Sequence, residues 1–325
     1  KVTYKFFQNG IKIFKEKIVP FIRIRDYNTI GLSGSDNIDG INPWTSLIYS
    51  DGISDKDISS GGSYGIGKNA IFACSRLRTV FYSTLDFDSN KASQGVSKLI
   101  SHKNKNNKYA ESIGYYGVNQ QPIYDLLNLD KTHLRTESGT DIYVAAFENS
   151  ENWEIDVIIS VIENYLLSIF NKKLIIKVNE TEINAETLEH LVNKYSDKFK
   201  YARDYYEVLT SPQTHTTELA VGDTGSVELK ILFGKNFNRK VLMSRGNGMK
   251  IYDQDRISSS VFFAGVLIMK DEKVNEVFRS MENPQHNAWE PNRAGANAKK
   301  YGKLFKQLKI DIKNFVIEKG QSTIS

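Results

Sequence analysis

The run Gly61-Gly62-Ser63-Tyr64-Gly65-Ile66-Gly67-Lys68-Asn69-Ala70 constrains this chain more than any other segment. Glycines let a backbone turn sharply and approach an anion with no Cβ in the way. The apolar spacing of Ile71, Phe72, Cys74 and Leu77 directly behind it predicts a helix. The free N–H groups of such a helix would point back at negative charge. A loop of this kind is a cradle for phosphate, and a nucleotide is the guest it suits.

Other readings of the loop stand beside that one. Gly62 to Lys68 has the spacing of a Walker A motif, which wants a buried strand ahead of it and Ser or Thr after the lysine. Here Asp51 to Ser60 is polar and Asn69 replaces the hydroxyl. A purely structural glycine turn is the third reading.

Two flanking landmarks discriminate among these. Upstream, Phe21-Ile22-Arg23-Ile24-Arg25 alternates like a strand and ends in Asp26, followed by Tyr27-Asn28-Thr29-Ile30-Gly31. A carboxylate at a strand end can accept from an exocyclic amine. Downstream, Ser138-Gly139-Thr140 opens the alternating strand Asp141-Ile142-Tyr143-Val144 and can bring a hydroxyl to the same base. Taken singly, Asp26 is also a good turn cap and Thr140 an ordinary strand threonine.

The order Asp-turn-Gly, then Gly-x-x-Gly-x-Gly, then Gly-Thr resembles the GHKL, or Bergerat-fold, ATPases, among them gyrase-type topoisomerases, MutL and MORC proteins. The resemblance spans nearly the whole chain. It implies an α/β sandwich that binds ATP with Mg2+, followed by a smaller α/β transducer domain. Carried over, Asp26 reads the adenine amine, Thr140 supports the base, and Gly31 is the glycine of the first box. The phosphates fall to Gly62, Ser63, Tyr64, Gly65, Ile66, Gly67, Lys68 and Asn69. Asp26 to Gly31 is one residue longer than the usual Asp-x-Gly-x-Gly, which brings in Asn28 as a further candidate contact.

The family also carries, ahead of that strand, a helix with a water-activating Glu and a magnesium-binding Asn. Val2, Tyr4 and Phe6 alternate with Lys1, Thr3 and Lys5 and so predict a strand, with Gln8-Asn9-Gly10 as a hairpin turn to Ile11-Lys12-Ile13-Phe14. On this reading the magnesium ligand lies upstream of Lys1 and none is assigned in the chain. Residues 33 to 60, rich in Gly, Ser and Asp, are expected to form a long loop where the superfamily has an ATP lid.

Further strands are expected at 79–84 and 140–147, with a polar segment at 88–108, a helix at 153–170 and a strand at 173–178. The domains expected are 1–185 for nucleotide, 186–215 as a linker helix and loop, and 216–325 as the transducer-like part. Strands at 227–233, 240–243, 249–252 and 261–269 would form its sheet. Pro284-Gln285-His286-Asn287-Ala288 resembles the Pro-x-His-Asn-Lys loop of MORC transducers, with Ala288 in place of the lysine that reaches the terminal phosphate. An alanine cannot stabilise charge developing on a transferred phosphoryl group. Arg293 on the same loop is the candidate substitute, with Lys299 as the alternative.

Composition adds limits. In 325 residues there is one cysteine, Cys74, so no intrachain disulfide is available, and a reducing, cytoplasmic compartment is expected. Cys74 is expected to pack behind the glycine loop. No apolar run approaches a membrane span. The net charge of +5 is modest, but Lys299, Lys300, Lys303, Lys306, Lys309 and Lys313 crowd one helical segment. That segment is either a surface for phosphates or simply a solvated helix face. The resemblance implies an ATPase that dimerises on binding ATP and acts on DNA or a companion nuclease, as in DNA defence or repair. A nucleotide-binding regulatory module with little hydrolysis is the alternative.

Overall fold

The computed structural model describes residues 2–49, 67–103, 106–129 and 133–324. The chain divides into two compact units, Lys1–Ser150 and Glu151–Ser325, each an α/β assembly on a five-stranded sheet.

The first unit opens with α1 (Val2–Phe14), followed by β1 (Phe21–Arg25) and α2 (Pro43–Ile48). A 3-10 turn at Gly67–Asn69 leads into α3 (Ala70–Ala73). Then come β2 (Thr79–Leu85), β3 (Lys91–Lys98), the short pair β4 (His102–Lys103) and β5 (Tyr109–Ala110), β6 (Ile113–Tyr116) and β7 (Gly139–Ala145). The sheet order is β1-β7-β2-β3-β6, antiparallel throughout. Strand alternation puts Val80 and Tyr82 on one face of β2. There they meet Trp44 and Ile48 of α2 and Phe72 of α3 in one apolar cluster. Asn42 sets the start of α2: its side chain accepts from Thr45 N (2.9 Å), while Thr45 Oγ1 accepts from Asn42 N (3.0 Å).

The second unit contains α4 (Trp153–Phe170), the pair β8 (Ile176–Val178) and β9 (Thr181–Ile183), α5 (Leu188–Lys194) and α6 (Ala202–Thr210). Strands β10 (His215–Ala220), β11 (Ser226–Phe233), β12 (Lys240–Ser244), β13 (Lys250–Gln254) and β14 (Phe263–Met269) precede α7 (Glu272–Ser280) and α8 (Ala298–Ile324). The sheet order is β10-β11-β14-β12-β13; β12 and β14 are parallel and the other neighbours antiparallel. Both faces are covered. Phe263 and Leu267 pack with Phe278 of α7 and Leu308 and Ile312 of α8, while Ala264 and Val266 pack with Ile162 of α4 and Tyr205 of α6. A central strand buried on both faces reads as the continuous apolar run Phe-Ala-Gly-Val-Leu-Ile-Met.

Several expectations change. Residues 2–14 form a helix, because inward positions recur at Thr3, Phe6, Phe7, Gly10 and Ile13, a helical rather than an alternating spacing. The two compact units divide at 150/151. The apolar stripe of α4 and the buried Leu188 and Tyr205 of the expected linker belong to the core under β12 and β14. Part of the expected lid loop is α2, whose Trp44 is fully buried. Within the polar segment 88–108 lies β3, which buries Ser93 and Gln94. The helix behind the glycine loop is one turn long, and Cys74 is exposed at its end.

Candidate functional site

The pairing of β1 with β7, Arg25 opposite Asp141, sets Asp26 directly beside Thr140. Asp26 N donates to Thr140 O at 3.2 Å, and Thr140 N donates back to Asp26 Oδ1. The other carboxylate oxygen, Oδ2, accepts from Thr29 Oγ1 at 3.0 Å, closing the turn after β1. The Asp26 side chain is 47% exposed, so its remaining lone pairs face outward. The result is a fixed, solvent-facing acceptor.

The turn is held from beneath. Thr84 Oγ1 accepts from Leu32 N (2.8 Å), donates to Gly139 O (3.1 Å) and lies 3.3 Å from Thr140 Oγ1. Ser138 Oγ donates to Thr29 O at 2.7 Å. Gly31 crosses over β2 with φ +70°, and a Cβ there would sit 2.5 Å from Leu85 O and 2.8 Å from Asp86 Cα. Gly139, at φ +144°, passes so close to Asp26 that a Cβ would lie 2.6 Å from its carbonyl oxygen. Both positions demand glycine.

Arg135 ties the cluster together. Its Nη2 donates to Asp26 O (2.9 Å), Thr140 O (3.1 Å) and Asp141 Oδ1 (2.7 Å), and Nη1 to Glu137 O (3.2 Å). Its side chain is 1% exposed, and that of Asp141 is 4%. Arg25 Nε supplies a second donor to Asp141 Oδ1 at 2.8 Å. The two guanidiniums also flank the exposed Tyr27 ring, with their central carbons 5.3 and 5.4 Å from its centroid. On β7, burial first and the neighbouring Asp141 second push the Tyr143 hydroxyl pKa up.

Asp26, Gly31 and Thr140 are thus brought together at one end of the sheet. Asn28 lies on the same turn, exposed and left-handed at φ +55°. Gly62, Ser63, Tyr64, Gly65 and Ile66 lie outside the described residues. Gly67, Lys68 and Asn69 form the 3-10 turn. Lys68 Nζ donates to Ser46 O at the end of α2 (2.7 Å), and Asn69 Oδ1 accepts from Lys98 Nζ (2.6 Å). Gln8-Asn9-Gly10 stands in the middle of α1, which contains no Asp or Glu. Among the described residues no group of three or more His, Cys, Asp or Glu could hold a metal ion.

Arg293 and Lys299 belong to the second unit and are exposed; Arg293 Nη1 lies 3.6 Å from Glu290 Oε2. The preceding loop is held by side-chain hydrogen bonds and aromatic packing. Glu282, 1% exposed, accepts from Arg245 Nε at 2.9 Å, and His286 Nδ1 lies 2.5 Å from Glu282 Oε1. Asn287 N donates to Asn283 Oδ1 at 3.0 Å. Trp289 packs between Tyr252, Phe278 and Phe305. Ala288 is half-buried, its carbonyl accepting from Asn283 N at 3.1 Å.

Sequence reasoning missed Thr84, Arg135 and Asp141. Asp141 carried a signal, since a charged residue between apolar strand positions implies a buried partner. Arg135, in an irregular loop, carried none.

No family model matches the chain, and no curated protein matches it. Among solved structures, the ATPase region of Saccharomyces cerevisiae topoisomerase II is similar at 9% identity and a TM-score of 0.38. The match covers 84% of this chain and 76% of that one. No helix among the described residues is long and apolar enough to cross a membrane.

Proposed function

We propose that the chain is a GHKL-type ATP-binding protein, in which the first unit takes the adenine at Asp26 and Thr140 and the phosphates at the glycine loop Gly62–Asn69. One observation carries the reading: Asp26 and Thr140 lock each other in place while leaving the carboxylate accepting outward, as recognition of an exocyclic amine requires. By the resemblance, ATP closes a lid, engages a transducer-like region and drives homodimerisation or the remodelling of DNA or a companion nuclease. Residues 1–185 and 216–325 would serve these two roles, joined through 186–215. A cytoplasmic, DNA-defence or repair setting accords with this reading.

Magnesium would arrive with the nucleotide's phosphates. Asn9, exposed on the helix ahead of β1, is the residue of the type the family uses for it. Four residues earlier, where a Glu-x-x-x-Asn arrangement places its water-activating carboxylate, stands Lys5. That substitution, with Ala288 in the transducer loop, favours a second reading: a nucleotide-driven switch with little or no hydrolysis. On the hydrolytic reading Arg293, or failing it Lys299, would be the cation that meets developing charge.

Calorimetric titration of ATP and GTP tests the site. Wild type should prefer ATP. Asp26→Asn should weaken ATP at least tenfold and erase the preference, because the amide presents one acceptor where the carboxylate presents two. Gly65→Val with Gly67→Val should abolish binding of both nucleotides. Equal affinity for ATP and GTP in the wild type would refute the adenine assignment.

A further inference from the structure

At one end of the second sheet, the residues entering β12 and those leaving β13 face α8 across an open cleft of about 510 Å3. Four cations line it: Arg239, Lys240, Arg256 and Lys313, against one carboxylate, Asp255. Asp255 is already engaged, its Oδ2 3.8 Å from Lys240 Nζ. Among the described residues no carboxylate lies within 4.0 Å of the cationic nitrogens of Arg239, Arg256 or Lys313.

Arg239 is the more telling of the three. Its guanidinium carbon lies 3.8 Å from the centroid of the Phe262 ring, which fixes the plane of the fork. Its Nε is shielded from water yet has no hydrogen-bond partner among the described residues. Arg239 and Arg256 also hold left-handed backbone conformations, φ +60° and +57°, so two turns place them at the cleft.

We propose that this cleft is an anion site for a ligand carrying a run of phosphates, separate from the nucleotide site of the first unit. Three uncompensated cations from three segments exceed what one carboxylate or a single phosphate would use. Planar guanidiniums bind phosphate oxygens two at a time. The volume falls within the roughly 300–1,000 Å3 typical of small-ligand sites. Two sources share the chemistry: a free polyphosphate, or the backbone of a nucleic acid strand. The second source is admitted because Lys313 continues a row of exposed lysines, Lys299, Lys303 and Lys306, along α8.

The test uses the full chain at low salt in a Gly65→Val, Gly67→Val background, so that the glycine loop contributes nothing. Tripolyphosphate is titrated by calorimetry and a short labelled oligothymidylate by fluorescence anisotropy. At least one should bind. The pair Arg256→Gln with Lys313→Gln, both exposed and hence neutral for folding, should weaken it tenfold or more, and Arg239→Gln should do the same. Loss confined to tripolyphosphate assigns a free polyphosphate, and loss confined to the oligonucleotide, or loss of both, assigns the nucleic acid backbone. If neither probe binds, or binding survives unchanged in the exposed-residue pair, the proposal is overturned.

Discussion

Replacing Arg135 with methionine keeps a long apolar stem but removes every donor the guanidinium provides. Asp141 would then retain Arg25 Nε, at 2.8 Å, as a guanidinium partner, while Asp26 O and Thr140 O would lose donors at 2.9 and 3.1 Å. Breaking a buried ion pair by removing one partner costs about 3–5 kcal/mol. Because Arg25 remains, the lower end applies, about 3 kcal/mol, or roughly a 150-fold shift in the local opening equilibrium at 1.36 kcal/mol per decade. Hydrogen exchange at the β1 and β7 amides reads that opening directly and is separable by peptide from the second unit. Asp141→Asn in the same background completes a cycle, and the two changes together should cost about 2 kcal/mol less than their sum. A protection loss below about 1 kcal/mol, or strict additivity, would show that Arg135 does not hold the Asp26–Thr140 pair.

Two further outcomes are expected. Gly31→Ala should cost more than about 2 kcal/mol and lower the first unit's melting temperature by at least about 4 °C, whereas Gly114→Ala, with nothing within 4 Å of its added Cβ, should be nearly silent by the same melting curve. Arg293→Ala should leave ATP affinity within about twofold by calorimetry yet remove residual phosphate release, while Ala288→Lys should raise it; if both are silent, the loop does not meet the nucleotide.

The parts of the fold legible in the sequence are those where alternation and burial coincide. β2, β7 and the strands β11 to β14 of the second sheet read correctly, though not the edge strand β10, because Val80 and Tyr82, or the unbroken run Phe263 to Met269, place their side chains as the pattern demands. The Asp26, Gly31 and Thr140 cluster was legible because strand ends and turn glycines mark themselves. What failed did so for physical reasons. In α1 the coincidental alternation of Val2, Tyr4 and Phe6 masked a helical spacing. In β3 both faces are buried from Ala92 to Val96, including Ser93, whose backbone pairs with Ile123, and Gln94, whose side chain bonds Tyr49 and Gln120, partners that no local window contains. α4 was recognised as a helix, but amphipathicity does not say which sheet a helix will cover. Arg135 depends wholly on contacts made after the chain has folded.

Both sheets share an order of assembly. In each, the strand latest in sequence is inserted between two that precede it: β7 between β1 and β2, and β14 between β11 and β12. As the chain leaves the ribosome, β10–β11 and β12–β13 can close as hairpins, yet neither can join the other until residues 263–269 emerge. Until then the inner edges of β11 and β12 stand unpaired, and unpaired edges recruit other strands. A chain stopped short of Met269 would therefore lack the seam between two half-sheets rather than a peripheral strand. The same holds for β7, whose arrival joins the two sides of its sheet and in that one step places Thr140 beside Asp26.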